Sequence, residues 1–367
     1  MPNPFFRIEM LPAKQGDALW IEYGCGEAER RILIDGGPIN AYPEFTKKIE
    51  SLPEGEKGIE LLVISHIDTD HIEGIIRMMA ERRCNWQIEP KDIWFNGWRH
   101  MNKTQDLGGR EGEFLSALIS RRANEEWNKA FNRGAVMVDP KKELPIITLE
   151  GGIDLTLLSP NINKLRAMAG QWKDDIEKWS IEPGDLDGAW DQLVDETKYN
   201  LDQGGLLGPG DFTDQLKKQL TPDPSKANGS SIAFLAEYES KRCLFLADAH
   251  MDVVCESIKK LIPTGKKQLE VDAVKVSHHG SRHNIKPEFF DLVDAQHFLI
   301  SSNGDKFEHP DKSTIESIIK GARKRPTLWF NYRSKFNEKW ESKSNKATSK
   351  YDTRYPQRDK GGICISL

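Results

Sequence analysis

Val63-Ile64-Ser65-His66-Ile67-Asp68-Thr69-Asp70-His71-Ile72-Glu73-Gly74 puts four metal-binding side chains within six residues. The stretch follows the buried-strand pattern Leu61-Leu62-Val63-Ile64 and leads into Ile72, Ile75, Ile76 and Met79. That spacing predicts a helix from His71 to about Arg83. Ligand types gathered just past an apolar strand match where open α/β sheets keep their chemistry, at the carboxyl ends of strands. An extended loop would turn His66, Asp68 and Asp70 to one side, because side chains alternate with period two. A solvated turn would look the same, so the rest of the chain must bring further ligands.

Working outward, the preceding 35 residues read as three short strands, Phe5–Met10, Ala18–Tyr23 and Arg31–Asp35, with turns at Gln15-Gly16-Asp17 and at 24–27. Asp35 and Asp17 each read as turn residues or as carboxylates placed for the site. A helix is expected over 43–52. Beyond the opening stretch, a strand at 92–96 and a helix over 111–132, with Trp127 and Phe131 on its apolar side, are expected. Further strands are expected within 145–158. Isolated His100 reads as a surface or loop residue. Residues 161–227 are rich in charge, Gly and Trp, and read as an insertion, either a lid or a surface excursion. Strands then resume: Ser231–Tyr238 and Arg242–Leu246 as a hairpin, Val271–Val276, His297–Ser302, Thr327–Tyr332 and Gly362–Leu367. The expected organisation is a single domain over 1–367, with a helical elaboration at 85–150, the insertion at 161–227 and a basic loop at 333–360.

With 367 residues, 38% hydrophobic and 30% charged, the chain has enough length for a buried core and the polarity of a soluble protein. A net charge of −5 excludes a wholly basic nucleic-acid binder, so any such footprint is local. No apolar run reaches the ~20 residues a membrane span requires. The N-terminus lacks a secretory pattern, and five scattered cysteines without CxxC spacing point to a reducing cytoplasm.

Three apolar strands therefore end in ligand types: His66/Asp68/Asp70/His71, then Asp248, then His278/His279. Imidazoles and carboxylates gathered at one sheet edge need a cation between them. Two divalent ions bridged by Asp248 would meet that need, and mixed His/Asp ligation without thiolate suits zinc or manganese.

In this order His66-x-Asp68-x-Asp70-His71, Leu246-Ala247-Asp248-Ala249 and Ser277-His278-His279-Gly280-Ser281 resemble the metallo-β-lactamase superfamily. Within it the chain most resembles the cytoplasmic hydrolase domain of the competence DNA-uptake channel family (ComEC-like). The likeness extends to Gln15-Gly16-Asp17-Ala18, Ile32 to Gly37, Asn228-Gly229-Ser230-Ser231 and His309-Pro310. It implies an αββα sandwich of the α/β (α+β) class: two mixed sheets face to face, helices outside. It also implies that His66 and Asp68 hold one metal, Asp70 and His71 the other, with Asp248 bridging and His279 completing the second site. His278 lies alongside, and either histidine of the pair serves as the ligand. Asp35, and with it Asp17, would orient ligand side chains. Asp68 stands where the superfamily commonly has His, and Asn228–Ser231 stands near the place of the His that usually precedes the bridging Asp.

The resemblance implies a phosphodiesterase or nuclease, with Asp70 orienting the attacking water and His278 or His309 stabilising the leaving group. Ser281, Arg282 and Asn228 would contact substrate. From Arg333 to Lys360, nine Lys/Arg stand against four acids, with Phe336, Trp340, Tyr351 and Tyr355 interleaved as single-strand stacking would want. A solvated basic loop has the same composition. An ester, lactone, amide or peptide hydrolase would use the same fold, and an interaction component beside an ATPase partner would fit a freestanding domain.

Overall fold

Along β2 (Leu19–Cys25) and β3 (Ala28–Ile34) the side chains divide between two cores. Leu19, Ile21, Ile32 and Ile34 enter one, Trp20 and Leu33 the other, as period-two alternation requires of a sheet covered on both faces. The structure is a computed structural model describing residues 3–53, 56, 58–80, 88–101, 110–176, 182–199, 225–358 and 360–367. Around those two strands stand β1 (Pro4–Met10), β4 (Gly58–Ile59), β5 (Leu61–Val63), β6 (Glu89–Pro90), β7 (Ile93–Trp94), β8 (Ile146–Thr148), β9 (Asp154–Ser159) and β10 (Ala233–Tyr238). The chain continues with β11 (Lys241–Phe245), β12 (Leu269–Lys275), β13 (Val293–Ile300), β14 (Thr327–Phe330), β15 (Asp352–Arg354) and β16 (Ile363–Ser366).

One sheet has the order β16-β1-β2-β3-β5-β7 and the other β15-β14-β13-β12-β11-β10-β9-β8, with β4 and β6 as a small separate pair. Both large sheets are mixed. β3, β5 and β7 run parallel in the first, and β11 to β15 in the second. Their inner faces meet through Phe6 and Tyr23 against Tyr238, and Trp94 against Phe234. Helices Tyr42–Glu50, Thr69–Ala80, Arg110–Arg122 and Ile162–Ile176 build the second core on the first sheet's far side. Met251–Leu261, Pro287–Leu292 and Lys312–Gly321 pack on the second sheet. The architecture is the αββα sandwich.

Several local expectations need correction. The helix after the opening stretch begins at Thr69, so Asp70 and His71 lie in its first turn. The helix expected over 111–132 ends at Arg122. Asn128 then turns left-handed (φ 50°), and its amide bonds the carbonyls of Phe95 and Gly134, so Trp127 and Phe131 fold back over β7. The stretch 333–360 is no open loop: it holds a helix, Lys343–Ser349, and the edge strand β15. Within 161–227, Leu165, Met168 and Trp172 enter the second core; the glycine-rich run at 204–210 and Trp179 lie outside the described residues.

The Thr69–Ala80 helix sits directly on the turn after β3. The Gly36 N–H donates to the His71 carbonyl at 2.8 Å, and a Cβ on Gly74 would come within 2.0 Å of the Gly36 carbonyl oxygen. Gly74→Ala improves helix propensity, yet we expect it to destabilise the fold by about 3 kcal/mol through overpacking, read as a lowered urea midpoint. A stabilised variant would refute this close approach.

Candidate metal centre

Parallel strands deliver their carboxyl ends to one edge of the sandwich: β3 to Asp35, β5 to His66, β11 to Asp248, β12 to His278 and His279, and β13 to Ser301. The backbone turns sharply there. Asp35, Ala247, His278 and His279 all have positive φ (58°, 44°, 49° and 53°), a conformation unfavourable for side-chain-bearing residues and concentrated at functional sites.

Hydrogen bonds fix the tautomer of each histidine. Asp35, fully buried, accepts from the Ser65 N–H and hydroxyl at 2.7 Å each and from His71 Nδ1 at 2.8 Å. With its proton committed to Asp35, the Ser65 oxygen accepts from His66 Nδ1 at 2.9 Å. His279 Nδ1 donates to the Ser301 carbonyl at 2.9 Å, and His278 Nδ1 to Asn284 Oδ1 at 2.9 Å. In its neutral form each imidazole therefore turns Nε2 to the cluster as a lone pair.

These lone pairs converge. His71 Nε2 lies 3.3 Å from His279 Nε2 and 3.6 Å from Asp248 Oδ2; His279 Nε2 lies 3.6 Å from Asp70 Oδ2 and 3.7 Å from Asp248 Oδ2. A tetrahedral ion with ligands at 2.0–2.2 Å sets its donors about 3.3–3.6 Å apart. The donor set fits a divalent metal. His66 Nε2 and Asp248 Oδ1 are buried without a hydrogen-bond partner, as atoms awaiting a cation would be. Among the described residues, His66/His71/Asp248 and Asp70/His71/His279 bring their donor atoms within 4.8 Å of one another.

The charges agree. Burial disfavours a proton on His71, but Asp248 and Asp35 outweigh it and raise its pKa well above the usual value. Burial would lift the Asp248 carboxyl, yet His278, His279 and His71 hold it well below its ordinary range. This pocket demands positive charge.

Other expected residues are placed as follows. Asp68 is partly exposed, with Oδ2 3.5 Å from His66 Nε2 and outside both triads. His278 turns its Nε2 to within 3.7 Å of Asp248 Oδ2 but joins neither triad. Asn228 is buried against the Nδ1 side of His278, with Nδ2 at 3.3 Å. His309 packs its ring 5.6 Å from that of His278, and burial lowers its pKa against the opposing pull of Asp311. Ser281 is buried, and Arg282 is exposed with its N–H donating to Asp311 at 3.0 Å. Asp17 approaches His279 Nδ1 at 3.5 Å. His100 stands apart from the cluster, buried against Trp127, with burial pulling its pKa to about 3.

Sequence reading missed Ser65, Asn284 and Lys275. Lys275 Nζ lies 2.5 Å from Asp17 Oδ2, with both side chains buried. A lysine inside the apolar run Val271–Val276 was the available signal.

Three of the aromatic residues of 333–360 pack on the core. Trp340 and Tyr351 are buried, Tyr351 donates its hydroxyl to the Trp340 carbonyl, and Tyr355 stacks on Phe330 at 5.0 Å. Trp340 and Tyr351 complete the core around β14 and β15 with Tyr355 packed against it, while Phe336 and Tyr355 stay half-buried.

No helix among the described residues is long and apolar enough to cross a membrane. No family model and no curated protein sequence matches the chain. Solved structures do resemble it. A variant of CmlA beta-hydroxylase shares 11% identity with TM-score 0.39, over 100% of this chain and 54% of that one, so this chain spans about half of CmlA's length. Zn(2+)-bound PqqB from Methylobacterium extorquens shares 9% with TM-score 0.39, over 98% and 100%. YhfI from Bacillus subtilis, described as a metallo-beta-lactamase fold protein, shares 10% with TM-score 0.42, over 99% and 100% of the two chains.

Proposed function

We propose that the chain is a metal-dependent hydrolase, and that its substrate is a phosphodiester of DNA or RNA. The observation that carries the hydrolase reading is the convergence of tautomer-locked Nε2 lone pairs on Asp70 and Asp248. In this reading His66, with Asp68 beside it, and Asp248 hold one divalent ion; Asp70, His71 and His279 hold a second, with Asp248 between. Zinc and manganese both suit these donors. Divalent ions in such a set supply an acidified water and polarise the scissile ester.

The chain's own residues do the rest. Asp35 holds His71 directly and His66 through Ser65, while Asp17 steadies His279. Asp70 orients the attacking water and takes up its proton. His278 or His309 stabilises the charge on the departing oxygen, with Ser281, Arg282 and Asn228 around it. The phosphodiester bond is supported by the ComEC-like motif order. The inward-facing aromatics of 333–360 give it no support.

Elemental analysis of protein purified without chelator should find two equivalents of metal. The loaded protein should cleave single- or double-stranded DNA or RNA, and Asp248→Ala should lower the rate by at least about 1,000-fold, since it removes a charge shared by both ions. No cleavage under zinc, manganese or magnesium would sink the phosphodiester reading. Turnover of esters, lactones, amides or peptides alone would move the substrate within the same chemistry. Cleavage appearing only when a second protein such as an ATPase is added would make the chain one component of an assembly.

A further inference from the structure

A charged cleft of about 820 Å³ opens outside the metal centre, lined by residues distinct from the His/Asp cluster and within the size range of ligand sites. Lys14, Tyr332, Arg358 and Lys360 are among its lining residues. Its acids are largely spent: Glu341 takes both Arg333 amino groups, at 2.5 and 3.1 Å, and Glu44 pairs with Lys47 at 2.7 Å. Among the described residues no carboxylate forms an ion pair with Lys14, Arg358 or Lys360, and Glu338 is the remaining acid of the lining. In a chain of net charge −5 this is a local cationic surplus. Tyr332 accepts the Lys14 N–H at 3.0 Å, leaving its own O–H to donate.

One short loop connects the cleft's lining to the site. Lys14 is three residues from Asp17, so about 10 Å at most separates their Cα atoms. Gly16 between them lies against the Asp70 carbonyl, where a Cβ would come within 1.8 Å. The Lys14 carbonyl accepts the Asn303 N–H at 2.8 Å. From that second loop Phe307, 45% exposed, stacks over His309 with centroids 6.1 Å apart.

We propose that this cleft binds a run of phosphate groups, the non-reacting part of a substrate whose scissile bond lies at the His/Asp cluster. The link to the reaction rests on the phosphodiester reading; the binding itself does not.

The test is fluorescence anisotropy of labelled single-stranded DNA and RNA of about 12 nucleotides on the full chain without added metal, with inorganic tripolyphosphate as competitor. A variant carrying Lys14→Ala, Arg358→Ala and Lys360→Ala should bind at least about tenfold more weakly at roughly 50 mM salt, and its log–log salt slope should fall by about 2. Arg358 and Lys360 are exposed and Lys14 is half-buried, and an unchanged melting temperature checks that the fold survives. A control with exposed Lys142, Lys266 and Lys267 changed to Ala should bind like the parent. Displacement by tripolyphosphate identifies a free phosphate run as sufficient, whereas persistence of the oligonucleotide narrows the ligand to a nucleic-acid strand. An unchanged affinity and slope, an equal loss in the control, or a parent that binds neither oligonucleotide overturns the inference. A parent that binds but never cleaves leaves it standing and removes the phosphodiester reading.

Discussion

Asp35→Asn should lower divalent-metal affinity by at least about 100-fold, although Asp35 itself holds no ion in the proposed site. The substitution preserves volume and a residue type that tolerates the left-handed φ of 58°. An amide NH₂ at the Oδ2 position, however, donates where the carboxylate accepted. It would push the His71 proton from Nδ1 to Nε2, directly at the position of the ion. It would also compete with His66 Nδ1 for the Ser65 oxygen. One exchanged group thus turns two ligands the wrong way. Ser65→Ala touches only the His66 branch and should cost about tenfold. Competition titration against a chromophoric chelator reads both, and hydrolysis should fall in the same order. Parent-like affinity in Asp35→Asn would show that the network does not set the tautomers.

Lys275→Ala should destabilise the protein by about 3–5 kcal/mol at neutral pH, the cost of stranding one partner of a buried ion pair. Burial alone would raise the Asp17 pKa, but Lys275, and after it His279, hold it far below the ordinary carboxylate value. The sign follows directly. A depressed folded-state pKa gives stability that is present above the unfolded value of about 4 and lost as pH falls through the folded one. Without Lys275 the burial effect prevails, so the variant's deficit should be large at pH 7.5 and smaller near pH 4.5. Urea unfolding at the two values checks this. Adding Asp17→Asn should recover part of the loss at pH 7.5, because no charge is then buried. A pH-independent deficit would mean that Lys275 acts by packing its stem alone.

Strand ends were legible because each joins an apolar run to His or Asp within a few residues, as at Ile64 to His66 and Leu246 to Asp248. Long-range geometry was not. Nothing local says that His71 would share a donor set with both Asp248 and His279 while Asp68 stayed at the rim. The helix expected to reach 132 failed because Trp127 and Phe131 keep helical spacing, whereas the chain has already left the helix after Arg122 and turns left-handed at Asn128 between them. The burial of Trp340 and Tyr351 was hidden for a related reason: composition gives the number of aromatics, and tertiary contact decides their direction. Lys275 was overlooked because its partner, Asp17, lies 258 residues away.

That same distance governs how the protein is made. His71 and His279 are 208 residues apart, and β1 finds its outer neighbour only in β16, where Ile8 faces Ile365. At about 5–20 residues per second, roughly 10–40 s pass on the ribosome between the first histidines and the last. During that interval the first sheet has an apolar inner face and nothing to cover it. The donors His66, Asp70 and His71 wait at its edge without Asp248 or His279. The full donor set is therefore absent while the first half of the chain stands alone. It is complete only once both sheets are in place, so a chain stalled before β12 exposes an uncovered apolar face of the kind chaperones bind.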